Sequence, residues 1–309
     1  MPRPEGPSKV CGVAMHEDQV DVTRDLVRLL VDDQFPKWRQ LCLQEVIAEG
    51  TDNAIFRIGA DLAARFPLHA QESDAAWVSL ESEARALREL AVSSPVPTPV
   101  PVALGAPGHG YPLPWAVQTW LPGRVASQED AGSSVAFAED LAGLITDLRA
   151  VDTQGRPFSG RGRGGHLPDH DAWMDVCFQR SEGLLDVDRL RRLWGELRLL
   201  PREGADVMSH KDLIPGNVLV RDGRLAGVLD GGGFGPADPG LDLVAGWHLL
   251  ERAPREALRR SLGCGEVEWG RGMAWAFEQS MGLVWYYAES NPIMSGLGRR
   301  TLTRLLDEA

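Results

Sequence analysis

Residues 210–230 contain a set of oxygen-bearing side chains at a spacing that suits phosphoryl transfer. His210 and Asp212 are followed by Asn217, and Asp230 lies thirteen positions further along the chain. In phosphoryl transfer from a nucleotide, one carboxylate meets the acceptor hydroxyl, while an amide oxygen and a second carboxylate hold Mg²⁺. The pattern therefore indicates Asp212 as a base and Asn217 with Asp230 as metal ligands.

The segment between the two candidate metal ligands is typical of a β-hairpin. Two short apolar runs flank Asp222-Gly223, a pair that tolerates the positive φ angles of a tight turn. Such a hairpin brings Asn217 and Asp230 together at its open end, and Pro215 keeps the preceding loop out of a helix. The alternative is a surface loop with solvated aspartates, which requires the histidine, the Pro-Gly pair, the hairpin and the following glycines to coincide by chance.

The elements that must position these residues fall into a mixed first part and a mainly helical second part. Periodicity predicts helices over 18–33 and 74–91, and strands over 43–49, 54–58, 62–66 and 115–120. Leu121-Pro122-Gly123 then forms a break. Further helices are predicted over 133–150, 171–183, 186–199, 240–251, 254–262, 266–289 and 297–307. Residues 154–168, rich in Gly and Arg, are predicted to form a mobile loop.

The composition is that of an ordinary soluble globular protein, and 309 residues are typical of two lobes. The formal net charge of −12 argues against nucleic acid and anionic membranes as partners and is compatible with a cationic small substrate. Solubility alone explains that charge equally well. Four scattered cysteines, no membrane-length apolar run and no signal peptide predict a reduced, cytoplasmic protein. Residues 1–14 carry three prolines and are expected to form a disordered extension.

The chain resembles the aminoglycoside phosphotransferase (choline kinase-like) family, which has a protein-kinase-like fold. The matching strings are His210-Lys211-Asp212, Pro215-Gly216-Asn217-Val218-Leu219, Leu229-Asp230 and Ala237-Asp238-Pro239-Gly240-Leu241-Asp242-Leu243, and the likeness extends to residues 50–57, 110–112 and 120–123. The resemblance implies an α+β, bilobal fold: a small β-rich N-terminal lobe over 15–120 that binds nucleotide, and a larger, mainly helical C-terminal lobe over 121–309 that carries catalysis and substrate binding.

The resemblance also assigns roles to residues. It implies that Asp212 is the catalytic base, that Asn217 and Asp230 bind Mg²⁺, and that Asp242 is a structural acid beneath the catalytic loop. Two positions depart from the family pattern. Lys211 replaces the usual Gly and is expected to lower the pKa of the neighbouring carboxylate. Gly231 replaces the usual aromatic, which removes a packing anchor and is expected to make the metal loop more flexible.

On the nucleotide side, no G-x-G-x-x-G is present, and the turn of Gly50, Thr51, Asp52 and Asn53 is the candidate phosphate contact. A plain hairpin turn is the alternative. The kinase-like fold places a lysine on the third strand, paired with a helix glutamate. That strand here has only Arg65 as a cation, and Glu83 is the candidate partner; a solvated strand arginine is the alternative. The adenine ring of the nucleotide is expected to hydrogen-bond backbone groups near Gln118 to Trp120.

On the acceptor side, the C-terminal helices supply aromatic and acidic residues that could line a pocket: Trp247, Trp269, Trp275, Trp285, Tyr286, Tyr287, Glu278 and Glu289. The tryptophans, at helical spacing, are expected in the core rather than in a ligand pocket. Glu278 and Glu289 could bind ammonium groups, although exposed helix acids are the simpler interpretation. Asp238 either approaches the substrate or caps the helix near Pro239.

Three hypotheses follow for the function. The first is transfer of the γ-phosphate of ATP or GTP, with Mg²⁺, to a hydroxyl of a small acceptor such as an aminoglycoside or another antibiotic, or a metabolite. The second, suggested by Lys211, Gly231 and the missing strand lysine, is a catalytically weak nucleotide-binding pseudo-enzyme. The third, a protein kinase, is disfavoured because only seven residues separate Asp230 from Asp238, too few for a long activation segment.

Overall fold

The computed structural model describes residues 20–46, 53–69, 72–160 and 162–308. The N-terminal part is a five-stranded antiparallel sheet in the order β1-β2-β3-β5-β4. Its elements are α1 (Arg24–Gln34), β1 (Leu43–Val46), β2 (Asn53–Ile58), β3 (Leu62–Pro67), α2 (Ser73–Ser93), β4 (Pro101–Gly105) and β5 (Trp115–Thr119). Residues 1–14, predicted as a disordered extension, lie outside the described residues.

Aromatic packing forms the core of this N-terminal part. Phe56, Phe66 and Trp115 are fully buried, and the rings of Phe66 and Trp115 stack with centroids 4.7 Å apart. Helix α1 covers the cluster with Val27 and Leu30. It begins later than residue 18, because the Thr23 hydroxyl accepts a hydrogen bond from the Leu26 amide and caps the helix there.

The C-terminal part is mainly helical, with two small sheets. Its elements are β6 (Arg124–Val125), α3 (Val135–Arg149), α4 (Asp171–Arg180), α5 (Val187–Leu197), β7 (Val207–Ser209), β8 (Val218–Arg221), β9 (Arg224–Val228), β10 (Gly235–Ala237), α6 (Val244–Leu249), α7 (Arg252–Leu262), α8 (Glu266–Tyr286) and α9 (Pro292–Glu308). The sheets are β6-β8-β9 and β7-β10. Short 3₁₀ turns also lie in this region, at Leu167–His170, Pro215–Asn217, Gly231–Gly233 and Leu241–Leu243.

Helix α8 is the centre of the second core, since every residue from 271 to 281 is buried. Trp247, Trp269 and Trp275 are buried in this core, as predicted, whereas Trp285 is only partly buried against it. Several helix boundaries differ from the predicted ones, two of them notably. The helix predicted over 240–251 starts as a 3₁₀ turn, and α9 starts five residues early, at Pro292, because proline suits the first helical turn.

Helix α2 connects the two cores. Leu90, near its C-terminal end, is fully buried in the cluster that belongs to the C-terminal part.

The elements of the two parts confirm an α+β fold with a β-rich first part and a helical second part. The lobe boundary at residues 120 and 121 stays a prediction. None of the described helices combines the length and the apolarity needed to cross a membrane.

Candidate active site

The predicted hairpin is present and brings its two end residues together. Strands β8 and β9 pair antiparallel, and the turn residues Asp222 and Gly223 have φ values of +53° and +69°. At the open end, the Leu229 amide donates to the Asn217 carbonyl at 2.7 Å. Asn217 and Asp230 consequently line the same cavity.

Asp212 accepts hydrogen bonds at both of its carboxylate oxygens. Asn217 Nδ2 donates to Oδ2 at 2.7 Å and to the Asp212 carbonyl at 3.1 Å. Gln279 Nε2 donates to Oδ1 at 2.8 Å, and Arg163 Nη2 lies 3.4 Å from the same oxygen. Burial raises the pKa of Asp212, and the positive charge of Arg163 opposes that rise. The carboxylate is thus oriented from two sides.

The hydrogen bonds to Asp212 continue into the core. Gln279 Oε1 lies 3.1 Å from His248 Nε2, and His248 Nδ1 lies 3.0 Å from the Thr301 hydroxyl. Burial lowers the pKa of His248 to about 3, so the ring is neutral. When the neutral ring donates from Nε2, its partner must be the amide oxygen of Gln279. The amide nitrogen of Gln279 then faces Asp212. Sequence reasoning missed Gln279 and His248, because no local motif marks residues that meet Asp212 only through helix packing.

Asp242 supports the backbone on which Asp212 lies, as the family resemblance implies. Its carboxylate accepts from the Ser209 hydroxyl at 2.8 Å and from the amides of His210 and Lys211, each at 2.9 Å. Lys211 has φ +74°, a left-handed conformation that favours glycine. This explains why the family usually has a glycine at this position.

The expected influence of Lys211 on Asp212 is wrong. The Lys211 ammonium lies over the Phe158 ring, 5.7 Å from its centroid, and burial lowers its pKa. The left-handed backbone turns the side chain away from the base. The cation beside Asp212 is instead Arg163, on the loop predicted to be mobile.

That loop is anchored by several hydrogen bonds. The Phe158 amide donates to Asp206 at 2.8 Å, the Gly164 carbonyl accepts from the Asp238 amide at 2.9 Å, and Arg156 forms an ion pair with Glu89 of α2. These contacts hold Arg163 over the catalytic loop. Sequence patterns did not indicate these contacts, because all three partners are distant in sequence, and the mobility of the loop stays a prediction.

Asp230 is positioned by a strand of the N-terminal sheet. Arg65 on β3 donates to Asp230 Oδ1 at 2.7 Å, across the cleft between the two parts. Burial raises the pKa of Asp230, but the charge and hydrogen bond of Arg65 outweigh it and hold the pKa below its ordinary value. Asp230 also has φ +58°, a strained conformation for a residue with a side chain. Glu83 and Arg65 line one small cavity behind β3, and the Ser79 hydroxyl donates to Glu83 at 3.3 Å.

Gly231 has a packing partner in place of the missing aromatic ring. A Cβ atom at Gly231 would lie 2.1 Å from Leu90 Cδ2, and one at Gly232 would lie 3.1 Å from Glu83 Cγ. Helix α2 therefore fills the space that a side chain would need. Gly231 is thus buried against α2, whereas Gly233 at the end of the turn is exposed, and the greater flexibility expected of this loop stays a prediction.

A cavity of about 270 Å³ lies between the sheet and the hairpin. Among the residues that form its wall are Asn53, Arg65, Gln118, Trp120, Asn217 and Asp230. The Trp120 amide already donates to the Asp61 carbonyl at 2.7 Å, so this amide is not available to a nucleobase. Thr51 and Asp52, the predicted phosphate contacts, lie outside the described residues.

The side chains at the inner end of this cavity fit a Mg²⁺ ion that also binds phosphate. Asn217 donates through Nδ2 to Asp212, which leaves Oδ1 as an acceptor, and Asp230 accepts from Arg65 at Oδ1. The described residues contain no cluster of three or more His, Cys, Asp or Glu side chains suited to a metal. Mg²⁺ that keeps water and phosphate ligands needs fewer protein oxygens than that.

A second cavity, of about 310 Å³, is lined by Arg163 and Gln279, which both contact Asp212. Its other described lining residues are His69, Trp173, Glu278, Gly282, Leu283, Tyr286 and Tyr287. Asp212 therefore lies between two cavities. A phosphate donor and a hydroxyl acceptor could meet there.

Three acidic residues considered for the acceptor side have different environments. Glu278 is buried, which corrects the interpretation of it as an exposed helix acid, whereas Glu289 is exposed. Asp238 is buried in a pair with Arg271, whose Nε donates to it at 2.8 Å, and it also accepts from the Gly240 amide at 2.9 Å. Asp238 is thus a structural residue.

Comparison with known proteins agrees with this geometry. A family model described as a phosphotransferase enzyme family matches residues 44–275. An aminoglycoside 3′-phosphotransferase of Escherichia coli is 26% identical over 150 residues, which are 44% of this chain and 53% of that protein. The chain thus spans about half the length of the curated relatives that it matches.

Solved structures show the same fold at low sequence identity. The GDP complex of an aminoglycoside 2′-phosphotransferase-IIIa has a TM-score of 0.65 at 18% identity, covering 91% of this chain and 98% of that chain. The apoenzyme of the macrolide 2′-phosphotransferase MphH from Brachybacterium faecium has a TM-score of 0.57 at 20% identity, covering 83% and 91%.

Proposed function

The chain belongs to the phosphotransferase enzyme family, and we propose that it transfers the γ-phosphoryl group of ATP or GTP to a hydroxyl group of a small molecule. The observation that carries the proposal is the position of Asp212. One carboxylate oxygen contacts Asn217 of the first cavity, and the other contacts Gln279 and Arg163 of the second. A nucleotide in the first cavity and an acceptor in the second would place the reacting oxygens on either side of this residue.

Asp212 orients the acceptor hydroxyl and takes its proton. In a largely dissociative transition state the proton moves late, so the carboxylate mainly fixes the direction of attack. Gln279 and Asn217 hold the carboxylate from opposite sides, which limits its rotation. Asp242 fixes the backbone beneath it through the amides of His210 and Lys211.

Asn217 and Asp230 are the residues that would hold Mg²⁺, which when bound neutralises phosphate charge. Arg65 holds Asp230 in its ionised form through the 2.7 Å ion pair. Its guanidinium also lines the first cavity, where a planar cation suits a phosphate oxygen. Arg65 thereby takes the place of the missing strand lysine.

The nucleotide and the acceptor are proposed from chemistry and from relatives. Related structures are described as complexes with GDP, with ADP, and with streptomycin and ATP. We therefore assign ATP or GTP to the first cavity and a hydroxylated antibiotic or metabolite to the second. A cytoplasmic location fits the use of either nucleotide.

The test uses Asp212→Asn in an assay of nucleoside diphosphate release, with Mg²⁺, either nucleotide and a panel of hydroxylated acceptors. Loss of a general base should lower acceptor-stimulated release by about 10²- to 10⁴-fold. The thermal shift caused by Mg-nucleotide should persist, because Asp212 lies outside the residues assigned to the metal. Asp222→Asn, in the hairpin turn, is the matched control. Full activity of Asp212→Asn, or no nucleotide-induced shift in the parent protein, would contradict the proposal.

A further inference from the structure

A line of buried polar side chains connects Asp212 with the last helix of the chain. Gln279 of α8 donates through Nε2 to Asp212 Oδ1 at 2.8 Å, and its Oε1 lies 3.1 Å from His248 Nε2. On the other side of the ring, His248 Nδ1 lies 3.0 Å from the hydroxyl of Thr301 on α9. Helices α6, α8 and α9 thus each contribute one polar side chain to a line that ends at the candidate base.

The stability of the core does not require polar groups at these three positions. Gln279, His248 and Thr301 are at most 8% exposed, and the residues beside them in sequence include Trp247 and Leu302, which belong to the apolar core. Replacing both partners of a buried hydrogen bond by apolar groups of the same shape is often neutral or stabilising. The line is therefore better explained by the residue at its end, Asp212.

One arrangement of protons satisfies the whole line when Asp212 is ionised. The His248 ring is neutral, because burial lowers its pKa to about 3, so one ring nitrogen carries a proton and the other accepts. With the proton on Nε2, the Thr301 hydroxyl donates to Nδ1, Nε2 donates to Gln279 Oε1, and the Gln279 amide nitrogen donates to Asp212. With the proton on Nδ1, Gln279 would have to turn its oxygen toward the carboxylate, where two acceptors repel each other.

We propose that His248 and Gln279 are positioning residues of the phosphoryl transfer, and that the Nε2–H tautomer of His248 sets the direction of every hydrogen bond from Thr301 to Asp212. This direction keeps a donor against Asp212 Oδ1, while Asn217 donates to Oδ2. The inference rests on the proposed function, in which Asp212 takes the proton of the acceptor hydroxyl. It goes further by giving a part in the rate to His248 and Thr301, which line neither cavity.

The first experiment identifies the tautomer of His248 without any turnover. Long-range ¹H–¹⁵N correlation spectra of the protein labelled with ¹⁵N-histidine show which nitrogen of each neutral ring carries a proton. The chain has seven histidines, and the spectrum of His248→Leu assigns the signals that belong to His248. At neutral pH, Nε2 should be protonated and Nδ1 should not. A proton on Nδ1 would overturn the inference.

The second experiment measures kcat and KM with the best acceptor of the panel. Gln279→Met should lower kcat about 10²-fold, and His248→Leu about tenfold, because the carboxylate is no longer held in one orientation. His248→Gln should recover most of the loss of His248→Leu, since its amide can still donate to Gln279. The KM for Mg-nucleotide should be unchanged in all three. Gln179→Met and His166→Leu, both at exposed sites, are the matched controls.

A triple variant separates positioning from stability. Gln279→Met, His248→Leu and Thr301→Val together remove every polar group of the line and leave no partner unpaired within it. The triple variant should unfold at a higher temperature than His248→Leu alone, whereas its kcat should remain about 10²-fold below that of the parent. A kcat that recovers together with the stability would show a structural role and overturn the inference.

Two further kinetic results would also overturn it: an unchanged kcat in Gln279→Met, or equal kcat values in His248→Gln and His248→Leu. The proposed function fails in a different way, when the parent shows no acceptor-stimulated release or when Asp212→Asn keeps full activity, and the inference then falls with it. A protein whose turnover depends on Asp212 but not on Gln279 or His248 would keep the proposed function and lose the inference alone.

Discussion

Asp212 is positioned by side chains that come from three separate segments of the chain. Asn217 follows it by five residues, Gln279 lies on α8, and Arg163 lies on the loop before α4. His248 and Thr301 fix the orientation of the Gln279 amide from within the core. A residue that must orient a hydroxyl to a fraction of an ångström depends on such support, because small displacements reduce the rate strongly.

Removal of Arg163 should change the pH dependence of the reaction. Its charge opposes the rise that burial causes in the pKa of Asp212. In Arg163→Met the pKa of Asp212 should therefore rise further. The ionised base is then lost at a higher pH, and the acidic limb of the kcat/KM profile moves to higher pH. Activity on the alkaline plateau should fall less than activity below neutral pH. The measurement is a pH profile of kcat/KM, with Arg252→Met on the exposed end of α7 as the control. An unshifted acidic limb would show that Arg163 does not act on the base.

Among the elements, α2 and the turn after Asp230 depend on each other. Leu90 occupies the space beside Gly231, and Glu83 packs against Gly232. The position of the turn therefore depends on the position of α2. Leu80 and Ala84 of α2 line a small cavity together with residues of the N-terminal sheet. This contact connects the candidate metal ligand to the N-terminal part independently of the Arg65 ion pair.

Gly231→Ala should be destabilising in proportion to that close contact. A Cβ 2.1 Å from Leu90 forces a shift, and overpacking of this kind costs about 1–3 kcal/mol. Leu90→Ala leaves a cavity and costs about 2–5 kcal/mol. The double variant should be clearly more stable than the sum of the two effects predicts, because the new methyl group occupies part of the cavity.

Urea unfolding of the single and double variants gives these free energies. Gly195→Ala in α5 is the control, because a Cβ added at Gly195 would have no described atom within 4 Å apart from the local backbone of its own helix, and alanine favours helix by about 0.5–1 kcal/mol. Strict additivity of Gly231→Ala and Leu90→Ala would show that the two sites do not share this space.

At the scale of the whole molecule, two hydrophobic cores are joined by a small number of contacts. Arg65 pairs with Asp230, Arg156 pairs with Glu89, and the Val228 amide donates to the Pro97 carbonyl at 3.0 Å. The first cavity, to which we assign the nucleotide, lies between the cores, so each core contributes one wall. The stability of the C-terminal core therefore affects the whole site.

His248, buried in that core, should make the protein less stable in mild acid. Its pKa of about 3 lies below the ordinary value of 6.5, so between these values the unfolded chain binds a proton that the folded protein does not. Stability is therefore present at neutral pH and is lost as the pH falls below about 6.5. This one group should remove about 2 kcal/mol between pH 7 and pH 5.

The measurement compares the free energy of unfolding at the two pH values for the parent and for His248→Leu. The variant is expected to be less stable at neutral pH, since Gln279 and Thr301 lose their partner, but its loss on acidification should be smaller by that amount. His166→Leu, at an exposed site, should keep the pH dependence of the parent. An identical pH dependence in His248→Leu would contradict the assignment.

The sequence by itself determined those features of the protein that depend on residues close together in the chain. The Asp-Gly turn between apolar runs gives the hairpin, and the hairpin alone brings Asn217 and Asp230 to one end, because only nearby residues take part. Apolar periodicity located the helices, and the buried tryptophans followed from their helical spacing. The α+β class and the family were also evident from these strings.

Only the tertiary structure decided which distant side chains meet at the site. Arg163 and Gln279 reach Asp212, and His248 reaches Gln279, through packing of a loop and two helices, and no spacing in the sequence encodes those contacts. Lys211, adjacent to Asp212 in sequence, points away because its backbone is left-handed. Side chains of adjacent residues can point in different directions. The pKa of a carboxylate depends on the atoms that surround it in space, whether or not they are close in sequence.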